Sequence, residues 1–309
     1  MPSIKRAINY LLHNRTQFID SSIKNLGFLI PDKLYLSLRY RCLMGSWINW
    51  NNPKTFTEKL QWLKLYNRKP EYTTMVDKYA VKEYVANIIG EEYIIPTLGI
   101  WDKPEDIECD SLPNQFVLKT THGGGGGGVV ICKDKDTFDK TTAIAKLKES
   151  MASDIYSGLR EWPYKDVPKR IIAEKFMAPE KSPDSVLKSS ELLDFKFFCF
   201  NGKVRFFKVD FGRFVEHHAN YYSPEGELLE FGEQGLEPDP NYPIELPDNL
   251  KEMISLAEKL SANEPFLRVD LFNVNGRIFF GELTFYPASG MIPWTTEEAD
   301  KEIGKYLKL

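Results

Sequence analysis

Two groups of residues have the types and spacing to do chemistry. The first is the glycine run Gly123–Gly128, directly after Phe116-Val117-Leu118-Lys119 and directly before Val129-Val130-Ile131. Strand, glycine loop, strand makes a flap whose backbone N–H groups can close over phosphates. No Gly-Lys-Ser/Thr opens a helix after it, so it is not a Walker loop, and no GxGxxG leads into a helix as a dinucleotide fold requires. Lys119, two residues from Val117 on one strand face, and His122 at the loop base add a cation and a polar group. Flexible surface is the alternative for such a hairpin.

The second group is Arg268-Val269-Asp270-Leu271-Phe272, a turn at Asn275-Gly276, then Phe279-Phe280-Gly281-Glu282-Leu283-Thr284. Period two puts Arg268 with Asp270 on one face, and Glu282 with Thr284 on one face of the next strand. A hairpin then brings a carboxylate from each strand together beside a cation. Hard oxygens with an open coordination sphere suit Mg²⁺ bridging nucleotide phosphates. The alternative is a strand Arg–Asp ion pair with Glu282 exposed. Between the two groups lie the apolar strand Arg170–Met177, which carries Glu174, and the alternating Asp194-Phe195-Lys196.

The elements that must position these groups change character along the chain. Apolar residues from Ile4 through Leu26 recur near helical spacing, Leu34, Leu38 and Leu43 continue the pattern, and Thr55–Glu58 has capping-box spacing. A further helix is expected from Asp77 to Gly90. Strands are then expected at Tyr93–Ile95, Gln115–Thr120, Val129–Cys132, Arg170–Phe176, Asp194–Phe200, Lys203–Phe211, Phe266–Asn273 and Arg277–Phe285, with hairpins at Asn201-Gly202 and Asn275-Gly276. Helices fill Thr137–Ser150, Asn249–Ala262 and Thr295–Tyr306, and surface loops 178–190 and 232–248. Hairpins with interspersed helices predict an α+β class with antiparallel sheets, not a doubly wound parallel sheet.

At 42% hydrophobic and 27% charged, the chain is ordinary globular protein, which excludes disordered and fibrous classes. No stretch has the roughly 20 apolar residues of a spanning helix. The N-terminus shows no apolar segment with a small-residue cleavage site, so secretion is not expected. Cys42, Cys109, Cys132 and Cys199 stand singly, as in a reduced cytosolic setting. A net charge of −4 makes no case for nucleic acid. Residues 1–80 nevertheless carry 13 Lys and Arg against 5 Asp and Glu. A basic head on an acidic body suits an anionic partner such as a membrane surface or acidic polymer, or else a solvated helical face.

The order of motifs resembles the ATP-grasp superfamily of carboxylate–amine ligases over about residues 77–293. The resemblance implies an ATP-grasp fold, two α+β subdomains gripping ATP. A helical region 1–76 would precede an ATP-grasp domain 77–309, with a flap subdomain at about 115–175 and a C-terminal subdomain at about 176–309. It implies that Lys78 and Lys119 contact phosphates under a flap of His122, Gly124, Gly125 and Gly126. Glu174, Lys175, Phe176 and Met177 would read adenine, with Asp194 on the ribose and Lys196 beside it. Arg268 would steady the transition state with Lys119, and Asp270, Glu282 and Thr284 would hold Mg²⁺. Thr284 departs from the asparagine usual there. The run Lys119-x-x-His122-Gly123, the strand Asp194–Lys203 and Phe280–Thr284 resemble the TupA-like branch of bacterial surface-polysaccharide and teichuronopeptide pathways.

That branch implies that an amino acid is joined to a uronic acid or other carboxylate of a saccharide, in the cytoplasm or at the inner membrane face. Acceptor candidates are Arg213, His217 and Asn220, after the Lys203–Phe211 strand, and Ser289. The rivals are a nucleotide-sugar glycosyltransferase, which needs an Asp-x-Asp-like metal pair at a strand end where Asp134-Lys135-Asp136 and Asp239 are expected in polar loops instead, a sugar kinase on the same fold, and a non-catalytic polysaccharide- or membrane-binding module.

Overall fold

Asn201-Gly202 and Asn275-Gly276 each place two consecutive residues in the left-handed region, with φ of 51° and 75° in the first and 52° and 79° in the second. That is the turn whose twist matches flanking antiparallel strands, and it sets both central hairpins of a computed structural model. The structure describes residues 16, 18–124, 127–178, 192–212, 217–242 and 244–309. Strands β5 (Asp194–Phe200), β6 (Lys203–Phe211), β7 (His218–Tyr222), β8 (Phe266–Val274) and β9 (Arg277–Thr284) form an antiparallel sheet in the order β7-β6-β5-β8-β9. A second antiparallel sheet has the order β1-β4-β2-β3, from β1 (Thr97–Trp101), β2 (Phe116–Thr120), β3 (Val129–Cys132) and β4 (Ile171–Lys175). The expected α+β class with antiparallel sheets and a helical N-terminal region is what the chain adopts.

The helices are α1 (Asp32–Met44), α2 (Phe56–Tyr66), α3 (Glu71–Val76), α4 (Ala80–Ile89), α5 (Lys140–Ala152), α6 (Ile155–Leu159), α7 (Leu250–Ser261) and α8 (Glu297–Tyr306). Residues 18–25 are helical as well. Thr55 and Glu58 form the expected capping box at the start of α2. This helix docks on α8 by polar contacts: Asp300 accepts from the Thr57 N–H and hydroxyl, and Lys59 Nζ donates to the carbonyls of Gly304 and Leu307. The main core joins Phe56, Leu60 and Tyr72 to Phe198, Phe200, Phe266 and Trp294, so α2 and α3 share one core with the five-stranded sheet. A separate small core around Phe116, Leu118, Leu147 and Ile171 supports the four-stranded sheet.

Several details differ from expectation. The apolar triplet before Pro96 is not a strand. Residues 91–93 make a 3₁₀ turn and pairing begins at Thr97, after the proline has removed a donor. Strand β7 went unforeseen because its polar sequence, His218-Ala219-Asn220-Tyr221-Tyr222, does not alternate cleanly. Asp77 caps α4 rather than lying inside it, its carboxylate accepting from the Tyr79 and Ala80 N–H groups. Loop 178–190 lies outside the described residues except for Ala178, and 232–248 is irregular where described. The cysteines are free. Among the described residues no helix is long and apolar enough to cross a membrane.

Candidate active site

The chemistry-bearing side chains of the larger sheet form a row across one face. Asp270 pairs in register with Glu282 and with Lys196, Lys196 pairs with Lys208, Asp194 pairs with Asp210, and Arg268 pairs with Thr284. Residues in register share a face, so four neighbouring strands contribute to one charged surface. The register shifts between Asp270 and Leu271, leaving Gly281 as an extra residue. This bulge sends Phe280 into the core opposite Leu271 and turns Glu282 onto the Asp270 face, which uninterrupted alternation would not do. A Cβ on Gly281 would sit 3.0 Å from the Asp270 carbonyl.

Arg268 ties the row together. Its Nε donates to Asp270 Oδ1 at 2.7 Å, and Nη2 reaches Asp270 Oδ2 at 2.7 Å, Thr284 Oγ1 at 2.9 Å and Glu282 Oε1 at 3.0 Å. Lys196 bonds Asp194 and lies 3.3 Å from Asp270 and 3.4 Å from Asp210. Burial works against the Lys196 ammonium, but Asp194 and Asp270 outweigh it and push its pKa up. The same competition ends differently for the two central acids. Burial pushes the Asp270 carboxyl up against the pull of Arg268 and Lys196. At Glu282 Lys78 and Arg268 overcome the burial effect and hold the carboxyl well below its ordinary range. Glu282 keeps 41% of its side-chain surface exposed, so water screens part of that pull.

The smaller sheet supplies a second set. Lys119 on β2 and Lys82 on α4 each lie 2.5 Å from a different oxygen of Glu174 on β4. Burial raises the Glu174 pKa and the two lysines reverse it, leaving it below the usual carboxylate range. Lys82 was missed in the sequence, although it lies four residues after Lys78, the spacing of one helical turn. At the flap root the Thr120 N–H donates to the Gly128 carbonyl. His122 is buried, its Nε2 is 3.2 Å from the Ser150 carbonyl, and its Nδ1 has no partner. Gly124 is exposed, and Gly125 and Gly126 lie outside the described residues.

Lys78 joins the two sets. Its N–H donates to the Thr121 carbonyl below the flap, and its Nζ lies 3.3 Å from Glu282 Oε2. Along the hinge, Lys175 is exposed and Phe176 half-buried, and Met177 packs with Leu192 and Phe272 on Ile95, Val274 and Phe279. An apolar wall thus lies beside the charged row, since Phe272 is in register with Asp194.

The acceptor candidates scatter. His217 Nε2 is 3.4 Å from Asp210, at the end of the row. Asn220 is in register with Val209, on the opposite face, and its amide is tied both ways to the backbone of Asp239. Arg213 lies outside the described residues. Ser289 bonds Lys64 of α2 instead. Asp134 of the candidate glycosyltransferase pair accepts from the Asp136 N–H in a local turn. Lys208, Asp210 and Glu233, which continue the row by ion pairs, had no motif to announce them.

Mg²⁺ uses one or two protein carboxylates and completes its shell with water and phosphate oxygens. Asp270 and Glu282 fit that demand. Among the described residues no group of three His, Cys, Asp or Glu side chains could hold a metal unaided.

Comparison with known proteins gives a family and a set of distant folds. A family model described as TupA-like ATPgrasp matches residues 58–308. No curated protein sequence matches the chain. Among solved structures, a D-alanine–D-alanine ligase from Bacillus anthracis is 18% identical over 73% of this chain and 57% of its own, with a TM-score of 0.39. One from Helicobacter pylori is 15% identical over 82% of this chain and 69% of its own, at 0.43. The ATP-grasp ligase PsnB, complexed with a minimal precursor, is 12% identical over 74% and 59%, at 0.38. The chain thus spans little more than half the length of the Bacillus anthracis enzyme.

Proposed function

The chain belongs to the TupA-like ATP-grasp family, and from that premise we propose that it is an ATP- and Mg²⁺-dependent carboxylate–amine ligase. Its substrates on this reading are an amino acid and a uronic acid or other carboxylate of a bacterial surface polysaccharide. The carboxylate attacks the γ-phosphate to give an acylphosphate and ADP, and the amine then displaces phosphate to form an amide. An amine and a carboxylate do not condense unaided at neutral pH, so phosphorylation supplies the leaving group. Lys78 and Lys119 bind phosphates, the glycine flap with His122 excludes water, and Met177 with Phe272 and Phe279 walls the adenine. Asp194 and Lys196 extend the polar floor, Glu174 sets Lys119, and Lys175 and Phe176 form the hinge. Asp270 and Glu282 would hold Mg²⁺, which would supply positive charge against the phosphates when bound, and Thr284 orients Arg268. Arg268 faces the oxyanion that develops on the substrate carbonyl. His217 is the acceptor contact we retain from the loop after β6.

The observation that carries this reading is the position of Lys78, whose backbone is bonded below the glycine flap while its ammonium meets Glu282. A phosphate chain placed there touches both sheets. The test is release of ADP and inorganic phosphate with Mg-ATP, screened over amino acids and uronic acids. ADP with phosphate supports the ligase, and ADP without phosphate means a kinase. Failure of Mg-ATP to bind by calorimetry sinks both. We also place the protein in the cytoplasm, where ATP is available, with its N-terminal region against the membrane face or an anionic polymer. The support is exposed Phe28 and Leu29, at 81% and 69%, between Lys24 and Lys33.

A further inference from the structure

The two lysines on Glu174 differ in what else they hold. Lys82 of α4 and Lys119 of β2 each lie 2.5 Å from a separate oxygen of its carboxylate. Lys82 Nζ also donates to the Ile95 carbonyl at 2.6 Å, and its side chain is only 13% exposed. The Lys119 side chain is 22% exposed, and among the described residues Glu174 is the one polar partner of its ammonium. Lys119 also stands at the root of the flap, where the next residue, Thr120, donates its N–H to the Gly128 carbonyl. Lys82 is thus pinned from two sides, and Lys119 is held by a single bond beside the glycine run.

The same contacts tie Glu174 to the apolar wall. Ile95 is buried with Val274 and Phe279, and Met177, Leu192 and Phe272 pack against them. The residue after Ile95, Pro96, accepts from the Lys175 N–H at 3.0 Å, so the wall and the end of β4 are joined by backbone as well. Lys82 therefore bonds at once to the acid on β4 and to the backbone of the wall. In register, Glu174 faces Val117, and Lys119 lies two residues further along the same face of β2. The acid stands between the wall on one side and the phosphate lysine on the other.

We propose that Lys82 is a positioning residue for base selection, holding Glu174 as a carboxylate that accepts from the amino group at C6 of adenine and rejects a 6-oxopurine. This rests on the nucleotide-binding part of the ligase reading, in which phosphate claims Lys119. Once Lys119 has turned to phosphate, Lys82 is the cation left on a side chain that is only 7% exposed. A carboxylate has about four lone-pair sites, so Lys82 leaves room for a base N–H, and an ionised acid has no hydrogen to offer an oxygen. Without Lys82, the same phosphate would strip the acid of its last cation. A buried acid without a cation takes up a proton instead. It then donates as well as accepts, and a C6 oxygen is no longer refused.

The test uses the full chain and compares Mg-ATP with Mg-ITP by calorimetry, without acceptor. The ITP base carries oxygen at C6 and a proton on N1. Wild type is expected to bind ATP ~10–100-fold more tightly, the range of one hydrogen bond to a charged group. Lys82→Met narrows that ratio ~10-fold, and Lys82→Arg, which keeps the positive charge, restores it. Glu174→Gln narrows the ratio as well, because its amide donates where the carboxylate cannot, and it decides the matter if Lys82→Met does not fold. A Lys82 that only supports the fold would weaken both nucleotides in equal proportion. That result, an unchanged ratio in Glu174→Gln, or a wild type that binds ATP and ITP alike overturns the inference while the ligase reading stands. Failure of the wild type to bind either nucleotide overturns the ligase reading itself and the role of Lys82 with it.

Discussion

On the five-stranded sheet Asp194, Lys196, Lys208, Asp210 and Asp270 are all buried; Lys196 meets Asp210 and Asp270 on the neighbouring strands and Asp194 on its own, and Lys208 meets Asp210 and Glu233. On the four-stranded sheet one buried carboxylate, Glu174, sits between two lysines, and the next feature is a run of glycines. The larger sheet rests on an aromatic core that includes Phe56, Phe198, Phe200, Phe206, Phe266 and Trp294, and the smaller on a much shorter set around Phe116 and Leu147. Charges fixed on a rigid floor need no reorganisation when phosphate arrives, which is how electrostatic stabilisation is made effective. A cover that must open and close needs few contacts and a permissive backbone. Substituting the equivalent cation in each sheet therefore should do different things.

Arg268→Ala is the largest effect. It removes the guanidinium from between Asp270, Glu282 and Thr284 and leaves Lys196, at 3.3 Å, as the remaining close partner of Asp270. Loss of one partner from a buried pair costs on the order of 3 kcal/mol. Denaturant midpoints will show that drop, and turnover is expected to fall ~10²–10³-fold with Mg-ATP affinity largely kept. Lys119→Ala reverses the pattern. Lys82 still pairs with Glu174, so the stability change stays below about 1 kcal/mol, while a lost charged phosphate contact weakens ATP by about 1.5–3 kcal/mol. If the two variants change stability and affinity in the same proportion, the contrast between floor and cover is wrong.

The hairpins, the capping box and the order of the chemical motifs were legible in the sequence because each is written in residues a few positions apart. Asn-Gly at both turns needs nothing from the rest of the chain. Gly281 was legible as a glycine but not as a bulge, since a bulge exists only relative to a partner strand. Lys82, Lys208 and Lys64 were illegible for the same reason. A lysine in a helix or strand reads as solvated until another element covers it, and Lys64 meets Ser289 across 225 positions. The excess of basic residues before position 80 was legible as a number. Its cause emerges only in the fold, where Arg39, Lys59, Lys69 and Lys78 are bonded to Asp20, the end of α8, Glu264 and Glu282.

The cover can be divided further with two neighbouring glycines. A Cβ on Gly128 lands on the Thr120 and Ser150 hydroxyls, whereas one on Gly127 meets nothing within 4 Å. Overpacking costs about 1–3 kcal/mol. Gly128→Ala is therefore expected to lower the melting temperature and the rate of nucleotide capture, and Gly127→Ala to leave both near wild type. Matching losses would make the flap a uniformly packed element. The pH response sharpens the same region. The Glu174 pKa is lower folded than unfolded, so its stabilisation is complete above the unfolded carboxylate range, about 4.3, and is lost as pH falls through the folded value. Glu174→Gln should flatten the urea-midpoint curve on the acid side of that range, and an unchanged curve would show that Lys82 and Lys119 do not favour its ionised form.

The smallest expected effect lies farthest from both sheets. Lys24 is 44% exposed and paired at 2.8 Å with Asp20, which also holds Arg39. An exposed pair of this kind contributes about 0–1 kcal/mol, and Arg39 keeps Asp20 partnered when Lys24 is reversed. Lys24→Glu should therefore leave the denaturant midpoint, ATP affinity and turnover of a small soluble acceptor near wild type. Binding to vesicles containing anionic lipid, or to an acidic polysaccharide, should weaken, because the attraction acts over a Debye length of about 8 Å at physiological salt. Raising the salt should erase the difference between the variant and the wild type. An equal loss with small and polymeric acceptors would show that this segment serves only the fold, and that its positive charge answers to the acids of its own chain.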